Sequence, residues 1–220
     1  MEEELKEILS RFPSYPEVFG LDLAKPEGRF KWFLASMLFA KRISSKIAVK
    51  TFTKFVKEGL TTPGRILEAG WDKLVEALDS GGYVRYDYST ATNLLEAAKR
   101  LKERYGESLE RLYEGAGGPK ELEELLREFK GVGPVAASIF LRELRGVWAK
   151  ARPKLSTGAV EAGRRLKLGR REIEKFEGKL VRLNLEFCKE RKCGECPFRN
   201  FCKEPAAKLQ VGSLKASKAL

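Results

Sequence analysis

The chain contains no histidine. Ser-His-Asp and Cys-His catalytic sets, the HExxH metalloprotease helix and mixed Cys/His zinc fingers each need an imidazole as base or ligand, so all are excluded. Aspartate is nearly as scarce: Asp22, Asp72, Asp79 and Asp87 are the full set, with none beyond residue 87. There is one glutamine, Gln210, with three asparagines and two methionines in a chain that is 34% charged. Such a composition points to a thermophilic source. Long hydrophobic runs are also missing. The longest, WFLASMLFA at 32–40, has nine residues, against roughly 20 needed to span a bilayer. The opening MEEELKEIL is acidic and periodic, the reverse of a basic-then-apolar secretory signal. The expectation is a cytoplasmic protein with no membrane contact, whose chemistry rests on Asp, Glu, Lys, Tyr or a metal held by sulfur.

What is present is enough for a core. Of 220 residues, 43% are hydrophobic and 10% aromatic, which fits one large domain or two small ones. Lys and Arg number 43 against 31 Asp and Glu, a net charge of +12, and this favours polyanionic partners. The excess is concentrated. Residues 141–171 carry Arg142, Arg145, Lys150, Arg152, Lys154, Arg164, Arg165, Lys167, Arg170 and Arg171 against only Glu143 and Glu161, a local net of +8. A solvated helix face would interleave acids, as the rest of the chain does, so this segment is expected to meet nucleic acid.

Helical periodicity dominates, and strand signals are nearly absent. Leu5, Ile8, Leu9 and Phe12 mark a short amphipathic helix over 2–12. Residues 28–41, rich in Phe30, Phe33, Leu34, Met37 and Leu38, read as a central core helix, and 44–58 as a helix capped by Ser44 or Ser45. Thr62-Pro63 opens another, with proline where its missing N–H costs nothing. Residues 71–79 form one more, stopped at Gly81-Gly82, and Ser89 caps a long helix ended by Gly106. Helices over 119–129 and 135–144 flank KGVGP (130–134), and further helices follow at 156–166 and 171–187. The whole reads as an all-α protein of roughly ten short helices, with a mobile tail over 205–220.

All four cysteines, Cys188, Cys193, Cys196 and Cys202, lie within fifteen residues in the spacing C-x4-C-x2-C-x5-C. Scattered structural thiols would not cluster this way, and a cytoplasmic disulfide framework is disfavoured, so one four-thiolate metal site is expected. Tetrahedral zinc and a [4Fe-4S] cluster can both be held by four cysteines. Zinc ribbons pair two Cys-x2-Cys knuckles and only one exists here, which favours iron–sulfur. In KGVGPVAA the glycines permit a turn with outward-facing N–H groups, and Pro134 opens a helix whose positive end faces the same way. That is a phosphate-binding concavity, built from Gly131, Val132, Gly133 and Pro134.

Hairpin, basic segment and cysteine cluster together resemble the helix-hairpin-helix DNA glycosylase superfamily, in its endonuclease III-like branch with a C-terminal [4Fe-4S] cluster. The resemblance spans about 28–204 and rests on FLASMLFAKRISSKIAVKTF (33–52), TPGRILEAG (62–70), GGYVRYDYSTATNLLEAAKRL (81–101), FKGVGPVAASIFLREL (129–144) and the cysteines. The family more often places six residues between the first two cysteines. Four stand here, so a tighter loop is expected. The resemblance implies a two-lobed helical fold: a barrel lobe at 28–145 with the helix-hairpin-helix at 121–144, and a cluster lobe from 1–27 and 146–204. It also implies double-stranded DNA with a damaged, mismatched or abasic site in the cleft, a base flipped out of the duplex, and action as a monomer. The hairpin would grip phosphates while Lys189, Arg191, Lys192 and Arg199 present charge from the cysteine loop. Lys41 stands where the family wedge often lies.

The catalytic pattern of the family departs here. Val135 occupies the place of the Lys that forms a Schiff base in lyase members, and Ser156 the place of the usual Asp. A hydroxyl can position water but cannot offset an oxocarbenium-like charge as a carboxylate does. Two substitute carboxylates are available: Asp87, beside Tyr83, Tyr86 and Tyr88 as base-stacking surface, and Glu161, about a turn and a half past Ser156. Lys150 and Lys154 are near enough in sequence to act as unconventional Schiff-base lysines. The expected activity is therefore base excision without conventional lyase chemistry. A non-catalytic protein of the same fold that binds damaged DNA is the alternative, and a zinc-dependent DNA-binding module is the second.

Overall fold

A computed structural model describes residues 2–203, so the expected tail at 205–220 lies outside the described residues. Twelve α-helices follow one another among these residues, with no strand. They are α1 (Glu2–Arg11), α2 (Tyr15–Val18), α3 (Pro26–Phe39), α4 (Ser45–Lys57), α5 (Pro63–Gly81), α6 (Asp87–Tyr105), α7 (Leu109–Gly115), α8 (Pro119–Arg127), α9 (Pro134–Glu143), α10 (Thr157–Arg165), α11 (Arg170–Lys175) and α12 (Glu177–Leu183). A π-helical turn, Asn184–Cys188, continues α12.

Local chemistry sets most of the boundaries. Ser44 and Thr62 cap α4 and α5 by accepting from the N–H groups of Ile47 and Arg65, each satisfying a donor the helix cannot. Gly106 ends α6 in the left-handed conformation. Elsewhere the outcome differs from the expectation. The helices at 63 and 71 join across a kink at Gly70, whose backbone is far from helical. α6 begins two residues before Ser89, whose hydroxyl instead donates to the Tyr86 carbonyl. The segment 171–187 is broken at Phe176 and underwound into a π-helical turn after Leu183. The short helices α2 and α7 carry too few residues for periodicity to reveal them.

Two cores form. The first surrounds α3, where Trp32, Phe33, Leu34, Met37 and Leu38 are all buried. The Trp32 indole N–H donates to the Phe140 carbonyl at 3.3 Å, and Phe33 meets Phe129 and Phe140 edge-on at 5.5 Å, tying α3 to the hairpin and α9. Each such side chain contributes about 1.5–3 kcal/mol through burial. The second core gathers Leu5 and Leu9 of α1 with Ala159, Ala162, Leu166, Ile173, Phe176, Leu180, Leu183 and Phe198. Tyr15, Trp148 and Ala151 belong to the first core. The chain therefore passes between the two cores near 12–15 and 151–159.

Candidate nucleic-acid interface and lobe-junction pocket

The hairpin is built as a tight turn with Gly131 packed inward against Asn93 and Gly133 outward. Gly131 has φ +83°, and a Cβ there would lie 2.7 Å from that of Asn93, so both backbone conformation and close approach require glycine. The Val132 N–H is consumed by the Phe129 carbonyl at 3.0 Å and its side chain is buried. Val132 thus holds the turn and leaves the outward face to Gly133, Pro134 and Val135, all exposed. Pro134 starts α9 with Gly133 as N-cap, and unpaired first-turn N–H groups there favour an anion.

Immediately behind this turn a cleft of about 440 Å³ opens at the junction of the lobes. Val135, Ser138, Ile139 and Arg142 of α9 form one wall, Ser156, Thr157 and Gly158 at the start of α10 the second, and Val181, Asn184 and Leu185 the third, with Phe39 and Lys189 at its margins. Val135 is 59% exposed and presents an isopropyl group to the cleft. Ser156 is the N-cap residue of α10, yet its hydroxyl makes no capping bond and is buried without a partner. The Ser156 N–H donates to Glu177 at 2.8 Å. Among the described residues no carboxylate lines the cleft.

Glu161, one of the two expected carboxylates, stands just outside, where its Oε2 accepts from Asn184 Nδ2 at 3.4 Å. Asn184 is 3% exposed, and its Oδ1 has no partner. Sequence reasoning missed this residue. Its signal was a lone amide inside the apolar stretch KLVRLNLEF.

Asp87 is on another part of the barrel lobe. It is buried in the first turn of α6, its Oδ1 accepts from the Tyr88 N–H, and its carboxyl faces that of Asp79. Desolvation first, then this neighbour, raises the Asp79 pKa. Tyr83, expected as stacking surface, is instead core: it is 1% exposed, and its hydroxyl donates to the Leu38 carbonyl at 2.8 Å. Tyr86 is half-buried, with the Lys41 ammonium 5.9 Å and the Arg85 guanidinium 5.4 Å from its ring centre. Lys41 and the 83–88 loop are thereby brought together. Tyr88 is exposed, with its ring 5.3 Å from that of Trp71. None of the three tyrosines lines the lobe-junction cleft, so this loop and Ser156 do not form one pocket.

The basic segment is only partly a surface feature. Arg142 is buried against Glu143, Arg145 is bound by Glu177 and Glu174, and Arg152 donates to the Arg145 carbonyl. Lys150 donates to the Tyr113 carbonyl at 2.9 Å with its ammonium 4.6 Å from that ring, so it is a structural donor and not a nucleophile poised over the cleft. Lys154, Arg164, Lys167, Arg170 and Arg171 remain exposed.

The cysteine loop closes the second core. Phe12 packs edge-on against Phe198 at 5.3 Å and lies 6.4 Å from Phe187, and Cys188, Cys196 and Cys202 pack against the same apolar cluster. No cysteine is in a disulfide. Burial pushes the Cys188 thiol up to about 11, Arg165 opposes this, and the thiols of Cys196, Cys202 and Cys193 add to it. The four sulfurs thus share one neighbourhood, while among the described residues no three Cys, Asp or Glu side chains stand in ligating geometry. The donor set is four thiols, three of them packed on the apolar cluster, and thiols are the ligand type of soft metals. Lys189 and Arg191 are exposed on this loop and Lys192 is half-buried, with Arg191 held at φ +54°.

The arrangement of helices is the fold of a solved endonuclease III. A solved structure titled as a trapped endonuclease III–DNA covalent intermediate superposes with TM-score 0.52 at 17% identity, over 93% of this chain and 97% of that one. No protein-family profile matches the chain, and no curated protein matches it.

Proposed function

We propose that the protein is an endonuclease III-like DNA glycosylase of base-excision repair, acting as a cytoplasmic monomer on double-stranded DNA with a damaged, mismatched or abasic site, and without conventional lyase activity. The observation that carries this reading is the cleft directly behind the phosphate-accepting hairpin, whose buried Ser156 hydroxyl and Asn184 carbonyl have no partner within the chain. Gly131, Gly133 and Pro134 would hold the backbone, Lys189, Arg191, Lys192 and Arg199 would add charge from the cysteine loop, and Lys41 with Tyr86 would fill the gap left by a flipped base. Ser156 would position water at the sugar. Glu161 is the nearer of the two candidate carboxylates to that cleft, and Asp87 belongs to the wedge side.

A second reading is favoured by one specific feature: among the described residues, no carboxylate stands on the cleft wall. On that reading the protein binds lesions without excising them. Duplexes with uracil, thymine mismatches, oxidised pyrimidines, alkylated purines or abasic sites, scored for strand breaks before and after alkali, separate the two. Breaks appearing only after alkali support the glycosylase. Binding to the abasic duplex with no turnover of any substrate supports the binding-only protein. Steep loss of affinity with salt is expected in either case.

The four cysteines are proposed to hold a [4Fe-4S] cluster that fixes the loop as a DNA-facing element. Metal analysis of the purified protein should find iron and sulfide. Zinc without iron would favour the zinc-dependent module.

A further inference from the structure

Asn184 is placed by three independent features. It opens the π-helical turn, in which the Lys189 N–H reaches back five residues to the Asn184 carbonyl at 2.9 Å, and such widened turns occur frequently at functional sites. Its side chain lies over Gly158, where a Cβ would be 3.0 Å from Oδ1, so glycine leaves room for the amide. Glu161 then fixes which way the amide faces. An ionised carboxylate only accepts, so the bond at 3.4 Å selects Nδ2 as the atom toward Glu161 and leaves Oδ1 as an acceptor. That oxygen is buried and unmatched, in a residue 3% exposed that lines the cleft. A buried acceptor without a donor is costly, and its complement is an N–H.

From this we infer that Asn184 is the specificity-determining residue of the lobe-junction cleft, with Glu161 positioning it, and that the cleft selects bases presenting an N–H donor. The Ser156 hydroxyl, also buried and unmatched, can donate as well as accept. Together the two groups suit an edge where an N–H adjoins a carbonyl, as in the imide of uracil or the lactam of hypoxanthine. Lys189 at the cleft margin, whose charge is exposed, disfavours cationic, alkylated bases. Glu161 is thereby a positioning residue acting through Asn184. The inference rests on the DNA-binding reading above.

The test uses duplexes carrying 2′-fluoroarabino forms of deoxyuridine or deoxyinosine, which resist glycosidic cleavage, their N3-methyl or N1-methyl counterparts, and a tetrahydrofuran abasic analogue. Dissociation constants are measured at one salt concentration by fluorescence anisotropy. In at least one pair the wild-type protein should prefer the N–H base by about tenfold or more. Asn184→Ala should bring that ratio close to one, with tetrahydrofuran binding unchanged. Glu161→Gln, whose amide accepts either orientation of Asn184, should also lower the ratio, and it decides the matter if Asn184→Ala fails to fold. A ratio of one in the wild type, or a ratio unaffected by these substitutions, overturns the inference while tetrahydrofuran binding upholds the DNA-binding reading. Failure to bind any modified duplex above undamaged DNA overturns both.

Discussion

Arg145, at the end of the helix that follows the hairpin, grips Glu177 of the second lobe through two hydrogen bonds, 3.1 Å from Nε and 2.8 Å from Nη2 to the same carboxylate oxygen. The other oxygen accepts from the Ser156 N–H. The Glu177 side chain is 1% exposed, so it is a buried anion whose remaining partners cannot be replaced by water. Arg145→Ala should therefore destabilise the protein by about 3–5 kcal/mol, read from denaturant unfolding. Because Ser156 hangs from the same carboxylate, Glu177→Gln should weaken lesion binding more than binding to undamaged duplex.

Gly131→Ala tests the hairpin. The left-handed backbone costs a side chain about 1–2 kcal/mol, and the new Cβ also meets Asn93 at 2.7 Å. A lowered unfolding midpoint and weaker binding to every duplex, with no change in preference among lesions, are expected. Unchanged affinity would remove the hairpin from the interface.

Val135→Lys places an amine where the exposed valine faces the cleft. Schiff-base formation needs only a deprotonated amine within reach of the ring-opened sugar. Borohydride should trap this variant covalently on abasic DNA and leave the wild type untrapped. Trapping of both would point to another lysine; Lys154 is exposed and would be substituted next.

Acid stability follows from two carboxylates. The Glu58 pKa is lowered chiefly by the Lys54 hydrogen bond, and that of Glu172 chiefly by Lys6 and then by the Gly169 N–H. A carboxyl depressed in the folded state adds stability above its unfolded value of 4.5, and this is lost as pH falls through the folded value. Urea midpoints measured between about pH 6 and pH 3 should fall with pH. Lys6→Gln should flatten the part due to Glu172, because the ion pair between α1 and α11 is then gone in both protonation states.

Much of this was legible in the chain. The apolar run at 32–40 became the centre of the first core, Ser44 and Thr62 became caps, and the glycines of KGVGP became a tight turn, because each is a local preference that packing reinforced. Features set by distant partners were not legible. Tyr83 looked like cleft surface until the Leu38 carbonyl, 45 residues away, took its hydroxyl. The positive charge of 141–171 looked like a DNA footprint, yet Arg142 is buried against its neighbour Glu143 and Arg145 is consumed by Glu177, 32 residues away. Asn184 acquires meaning only when Glu161 and Gly158 are folded against it.

The second core takes Leu5 and Leu9 from α1 and everything else from beyond residue 155, with the whole first core between them in the sequence. During synthesis α1 therefore emerges with its apolar stripe unmatched and must wait while the first lobe completes itself, since domains fold as units in order of emergence. A nascent chain stalled at about residue 155 should protect Trp32 and Phe33 from proteolysis while leaving α1 open to it. The cysteines join this lobe after α1, α10, α11 and α12 are all available, so maturation of the loop is timed by the chain's own order.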